Sequence, residues 1–329
     1  IDNPILNSPF IEPGRHFKFD AEGITNLVEN SRRQSAYFIP IARPKKKGLQ
    51  GVLCEDWTAD RVEECRLVNE LRRELTIWRQ GGRLHITPVT RQLLDYWLNP
   101  ERDKPLFFCQ IEALETVIYL TEAAKAFGKN HFINRLQAAN EQSNPGLFRL
   151  AFKMATGTGK TVVMAMLIAW QALNKQANPQ DSRFGDAFLL VAPGLTIRDR
   201  LRVLLPSDPA NYYRQRDIVP PPDLERLGRA KIIITNFHTF QLKETVQAAK
   251  LTKNILAGAA TEGREARIFT ETPAQMARRV GREFGNKRGL IVINDEAHHC
   301  YARKPEPEEV PDAVSLTTEE KREAKNREE

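Results

Sequence analysis

The stretch from Phe148 to Leu173 constrains this chain more than any other, because its hydrophobic period changes within a few residues. Phe148, Leu150, Phe152 and Met154 alternate with Arg149, Ala151 and Lys153, which is the two-residue repeat of a strand. The turn Ala155-Thr156-Gly157-Thr158-Gly159 follows. Lys160 and Thr161 then open an apolar run to Leu173 that predicts a helix buried nearly all round. Strand, glycine turn and buried helix in this order predict an α/β fold with the free N–H groups and positive end of the helix at the turn. Such a helix mouth is an anion site.

Gly157 and Gly159 let the backbone curl around a phosphate, and Thr156 and Thr158 complete that nucleotide-binding loop. Lys160 can reach β- and γ-phosphates, and the Thr161 hydroxyl can ligate Mg²⁺. The strict pattern has a glycine where Met154 stands here. A plain glycine turn would account for the loop but not for a lysine at the helix mouth. Far downstream, Gly289 to Ile293 is a continuous apolar run, as expected for a central parallel strand covered on both faces. Asn294 and Asp295 emerge at its carboxyl end, where open α/β sheets collect ligands. Asp295 is expected to hold Mg²⁺ through water, and Glu296 to orient and polarise the water that attacks a γ-phosphate. Alone, the pair also fits two solvated loop carboxylates; with the upstream loop it points to ATP hydrolysis, with Glu296 and Lys160 as catalytic residues.

Met154-Ala155-Thr156-Gly157-Thr158-Gly159-Lys160-Thr161 with Asp295-Glu296-Ala297-His298 resembles motifs I and II of superfamily 2 helicases and translocases of the DEAH type. The wording from Val292 to Tyr301 is most similar to the restriction subunit of type III restriction endonucleases and its relatives. The resemblance implies a RecA-like P-loop NTPase lobe with a mostly parallel sheet covered by helices on both faces, using ATP and Mg²⁺. It also makes His298 a coupler between the ATP site and a second motor lobe. On this reading residues 1–104 form a mixed N-terminal accessory region, 105–301 the ATP-binding lobe and 302–329 a charged, flexible segment at a truncated end.

Lesser motifs fall where the resemblance needs them. Ala187 to Ala192 predicts a third buried strand, and Pro193-Gly194-Leu195-Thr196 after it is similar to motif Ia. Ala230 to Ile234 predicts a fourth, followed by Thr235-Asn236-Phe237-His238, which is similar to motif Ib. The resemblance implies that Pro193, Gly194, Thr196, Thr235 and Asn236 touch a nucleic-acid backbone. Ordinary turn and capping chemistry explains the same residue types. Gln110, before an amphipathic helix, matches the adenine-reading Q motif, since one amide can both donate to and accept from the adenine edge. Its neighbours Phe107-Phe108-Cys109 depart from the commoner wording, and a solvated glutamine at a helix start is the alternative. His298, His299 and Cys300 do not make a metal site, because adjacent residues project apart and no further ligand has metal spacing.

At 329 residues, 41% hydrophobic and 28% charged, the chain can bury a sizeable core. Its four cysteines fit reduced thiols in a cytoplasmic protein, and the apolar run after Thr161 is too short to cross a bilayer. A net charge of +7 favours polyanionic partners only mildly. Arg43 to Lys47, and Arg278, Arg279 and Arg282, either follow a phosphate backbone or form solvated faces. Residues 1–58 show no sustained period and predict strands and loops. Two helices follow, one from Asp60 to Gln80 closed by Gly81-Gly82, the other capped by Thr87-Pro88 and stopped at Asn99-Pro100.

No second lobe follows Asp295-Glu296-Ala297-His298, which predicts the N-terminal piece of a longer protein. An arginine finger from such a lobe is worth about 10³ to 10⁵ in rate in related NTPases, so the piece alone is expected to bind Mg-ATP and turn it over poorly. The resemblance implies a DNA-dependent motor acting on double-stranded DNA, with a nuclease domain and a methyltransferase or specificity subunit as partners. A stand-alone DNA or RNA helicase without nuclease, and a non-catalytic ATP-binding interaction module, are the alternatives.

Overall fold

The computed structural model describes residues 4–20, 23–38, 62–143, 145–243, 271–285, 287 and 289–297. Around β5 (Ala187–Ala192) lie β6 (Lys231–Asn236) and β7 (Leu290–Asn294), in the order β6-β5-β7 with both pairings parallel. β5 is buried at every position, because the apolar run Ala-Phe-Leu-Leu-Val-Ala has a ladder on each edge and a core on each face. Phe188 and Leu190 face the larger core, while Ala187, Leu189 and Val191 face a smaller one closed by Phe284. The continuous run is therefore matched to two-sided burial at the centre of the sheet.

β7 departs from the expectation of a central strand covered on both faces. Ile291 and Ile293 pack against the larger core, but Leu290 and Val292 are exposed, at 43% and 52%. Its register with β5 puts Leu290 beside Ala187 and Val292 beside Leu189, on the face of the smaller core. That core draws on Val280 at the end of a short helix and on Phe240 and Ile233, all grouped around β5 and β6. The cover stops before β7, so among the described residues β7 is an edge strand. An apolar run alone could not distinguish the two cases.

The predicted strand from Phe148 to Met154 is not formed either. These residues join no ladder; Leu150 and Met154 pack against the core, while Phe148 and Phe152 are exposed. Asn140, on the helix Asn130–Ser143, takes the place of a neighbouring strand at Arg149. The Arg149 N–H donates to Asn140 Oδ1 at 2.9 Å, and Asn140 Nδ2 donates to the Arg149 carbonyl at 2.9 Å. One side-chain amide thus satisfies both backbone groups that a ladder would have used.

The N-terminal part begins with the antiparallel pair β1 (His16–Asp20) and β2 (Gly23–Glu29), then β3 (Ala36–Phe38) paired with β4 (Val62–Glu64). The helix predicted from Asp60 starts only at Arg66, since Val62–Glu64 pair with β3; it is α1 (Arg66–Gln80), ended at Gly81 and Gly82, the latter at φ +78°. The second is α2 (Pro88–Leu98), capped by Thr87, whose side chain accepts from the Thr90 N–H. Then come α3 (Phe108–Ile118), continued by a π turn over Tyr119–Ala123, the helix α4 (Asn130–Ser143) and the long α5 (Lys160–Ala177). α5 is buried almost all round, as the sequence required.

Leu71, Leu75 and Trp78 of α1 and Leu93, Leu94 and Trp97 of α2 belong to the same core as Leu114, Ile118, Met166 and Trp170. One hydrophobic core thus takes residues from both sides of position 104. Chain segments part elsewhere, into the compact units Ile1–Asp295 and Glu296–Glu329. The expected charged segment 302–329, His298 and the cluster Arg43 to Lys47 lie outside the described residues. No helix of the described residues is long and apolar enough to cross a membrane.

Candidate nucleotide site

The glycine loop is shaped by the two backbone conformations that only glycine adopts cheaply. Gly157 stands at φ +82° and Gly159 at φ +79°. Between them Thr158 is turned inward, its hydroxyl donating to the Ala155 carbonyl at 2.6 Å, while Thr156 is exposed. α5 then starts at Lys160 directly from Gly159, with no side-chain cap and no acidic residue in its first turn. Gly159 contributes only its carbonyl, which accepts from Val162 and Val163 N–H. Nothing in the helix's own first turn neutralises its positive end, which suits an incoming anion. Lys160 and Thr161, half-buried, stand at that mouth.

Gln110 has a different occupation from the expected reading of an adenine edge. It is 5% exposed. Its Oε1 accepts from the Phe107 N–H at 3.0 Å, closing the first turn of α3, and its Nε2 donates to the Thr158 carbonyl at 2.9 Å. A Cβ on Gly159 would lie 2.3 Å from that same Nε2. Gln110 is therefore a brace between the start of α3 and the phosphate loop, and it fits against Gly159 because Gly159 has no side chain. The alternative of a solvated glutamine at a helix start fails with its burial. No local sequence signal announces a brace across so many residues; the glutamine at the third position of a helix announces only the cap.

Asp295 follows β7, and its N–H donates to the Val191 carbonyl at 3.0 Å, so one more ladder bond fixes its backbone beside the end of β5. The side chain is half-buried at the carboxyl end of the sheet, where the sequence put it. Glu296 opens the second compact unit and takes a left-handed backbone, φ +50°, which is uncommon for a residue with a side chain. Among the described residues no group of three or more His, Cys, Asp and Glu side chains is arranged to hold a metal ion. The Thr161 hydroxyl and the Asp295 carboxylate are of the oxygen-donor kind that suits a shared, water-rich Mg²⁺ ion.

Pro193 and Gly194 connect β5 to α6 (Leu195–Arg200), with Gly194 in the N-cap position and Thr196 exposed on the first turn. Arg198 and Arg200 are exposed on the same helix. After β6, Asn236 caps the turn Phe237–Phe240: its Oδ1 accepts from the Thr239 N–H at 3.2 Å and from the Thr239 hydroxyl at 2.9 Å. Thr235 Oγ1 donates to Thr239 Oγ1 at 2.8 Å. The capping chemistry weighed for these residues is realised for Gly194 and Asn236. Arg279 is not part of a solvated basic face. It donates to the Thr239 carbonyl at 2.9 Å and pairs with Glu271, clamping the helix Pro273–Gly281 to the turn after β6.

A family model described as type III restriction enzyme, res subunit, matches residues 103–319, about two thirds of the chain. No curated protein and no solved structure gave a match.

Proposed function

From the premise that the chain belongs to the family of type III restriction enzyme res subunits, whose matched region is a RecA-like P-loop domain, we propose that it is the ATP-binding motor lobe of a DNA-dependent translocase. The observation that carries this reading is the make-up of the α5 mouth: two glycines at positive φ, a lysine and a threonine at the first two helical positions, and no acid in the first turn. Family membership supports a helicase-like ATPase, and the chemistry of the loop supports a nucleotide triphosphate as the anion.

In this reading the N–H groups at the start of α5 hold the β-phosphate and Lys160 neutralises charge on the transferring γ-phosphoryl group. Thr161 and Asp295 would hold Mg²⁺, which would supply neutralisation of phosphate charge. Glu296 accepts the proton of the attacking water. Gln110 positions the loop. Thr156 and Thr158 line it. His298 couples the site to a second lobe, and Pro193, Gly194, Thr196, Thr235 and Asn236 meet the backbone of double-stranded DNA, through main-chain N–H groups where their side chains are already bonded. The nuclease domain and the methyltransferase or specificity subunit belong to the same proposal, as does a cytoplasmic setting.

Calorimetric titration of Mg-ATP into this chain and its Lys160→Ala variant tests the site. Binding by the parent and a loss of at least about 100-fold in the variant, near 3 kcal/mol, is the expected result. Equal binding by both would overturn the nucleotide reading. In the complete protein, Glu296→Gln is expected to lower ATP turnover by roughly 10² to 10⁴ at little change in ATP affinity.

A further inference from the structure

A cleft between α1 and the segment after β2 carries a concentration of guanidinium groups that the ATP reading does not use. Glu12, Arg32, Arg33, Gln34, Asn69, Arg72, Arg73 and Thr76 line it, so four arginines face one carboxylate. Its volume, about 160 Å³, is several times the roughly 30 Å³ that one water molecule occupies. The arginines come as two adjacent pairs from two elements, the segment after β2 and the middle of α1.

Some of this charge is already matched. Arg32 donates to both oxygens of Glu112, at 2.7 and 2.5 Å, and to Glu12 at 2.7 Å. Further along, Glu115 is held by Arg79 and Arg83, each at 2.7 Å. What remains is unequal. Arg72 meets Glu112 at 3.7 Å, beyond hydrogen bonding, and that carboxylate is the one Arg32 occupies. Arg33 lies over the Phe19 ring, 4.0 Å from its centroid, and both Arg33 and Arg73 are exposed on the rim. The other acids of α1, Glu70 and Glu74, are taken by Arg135 and Lys129. Burial, and next the adjoining charge of Arg32, hold Arg72 below the ordinary arginine range, so an added negative charge would be welcome there.

We propose that this cleft is a phosphate-binding site for the backbone of a nucleic acid, with Arg72 as its floor and Arg33 and Arg73 as its rim. Planar guanidinium forks match a phosphate bidentately, and clustered pairs follow a backbone without reading bases. Asn69 does not compete for the ligand, because its amide is bonded at both ends to Ser35. The proposal rests on the nucleic-acid part of the function above, and adds a contact outside every motor motif.

The test measures binding of a fluorescent double-stranded oligonucleotide by anisotropy, over a range of salt, for the chain and three variants. Arg33→Gln with Arg73→Gln removes the exposed rim without touching the ion pairs. Arg72→Gln removes the floor. Lys125→Gln with Arg229→Gln, both exposed elsewhere, gives the same change in net charge as the rim variant. The rim variant is expected to weaken binding roughly tenfold and to lower the slope of log K against log salt by about 2, near 0.9 for each contact removed. Arg72→Gln should weaken binding at an unchanged circular dichroism spectrum, and the control pair should do neither. Equal losses in rim and control variants would reduce the cleft to general charge, and no loss in the rim variant would also overturn the proposal. A parent that binds no duplex at any salt would instead sink the nucleic-acid reading, and the cleft with it.

Discussion

The two ends of α5 are held in opposite ways. At its carboxyl half Trp170 Nε1 donates to Glu122 Oε1 at 3.0 Å and to Thr90 Oγ1 at 2.9 Å, and Asn174 Nδ2 donates to Thr90 Oγ1 at 3.0 Å. Glu122, from the π turn after α3, also accepts from the Thr87 N–H and the Thr90 hydroxyl, each at 2.7 Å. The amino end is braced through its loop by Gln110 and carries no side-chain cap. One helix thus spends its buried hydrogen bonds at the end away from the ligand, which fixes its axis while its mouth stays available. Rigid support and an uncapped terminus are different demands, and a long helix can meet both because they lie about three turns apart.

Substitutions at the two ends should therefore separate stability from binding. Glu122→Ala strips the Thr87 N–H and the Thr90 hydroxyl of this acceptor, and Trp170 of one of its two, in a buried site, and is expected to lower unfolding free energy by about 3 kcal/mol, read from the urea midpoint. ATP affinity of the folded fraction should barely move; an affinity loss matching that of Lys160→Ala would break the comparison. Next in size is Gly159→Ala, which adds a methyl group at positive φ into the Gln110 amide, against Gly157→Ala, which meets strain of about 1 to 2 kcal/mol but open space. Gly159→Ala should cost roughly 1 kcal/mol more than Gly157→Ala in unfolding free energy, and Gln110→Ala should relieve that excess in a double-mutant cycle. Additive effects would show that Gln110 does not brace the loop.

The smallest effect concerns the region outside α5. Burial opposes the charge on Glu112, yet hydrogen bonds and charge from Arg32, with Arg72 and Arg79, hold its carboxyl below the ordinary value of 4.5. A depressed folded value means stabilisation that is complete above the unfolded value and lost as pH falls through the folded one. Urea midpoints should thus fall more between pH 5 and pH 3 in the parent than in Glu112→Gln, where this carboxylate cannot titrate. Equal falls would remove Glu112 from the acid response.

Residues close in sequence announced the local backbone geometry of the candidate site. Gly157, Gly159, Lys160 and Thr161 declare a loop and a helix mouth within a handful of positions, and Asp295 follows from an apolar run that ends in an acid. Ala187 to Ala192 likewise predicted a buried strand, and so it is. Two equally apolar runs misled. Phe148 to Met154 has strand periodicity, but Asn140 satisfies the Arg149 backbone and no ladder forms. Gly289 to Ile293 is apolar throughout, but among the described residues the smaller core does not extend over Leu290 and Val292.

By itself, then, the sequence determined α2, α5, β5, the glycine loop and the family, since each rests on local period, glycine conformation or a contiguous motif. Tertiary structure alone decided which strand is central, that α1 and α2 share the motor core, that Gln110 braces Thr158, and that Arg32 and Arg72 meet across a cleft. Each of these depends on which distant group satisfies a buried donor, acceptor or charge. That choice is made by packing, and no local pattern encodes it.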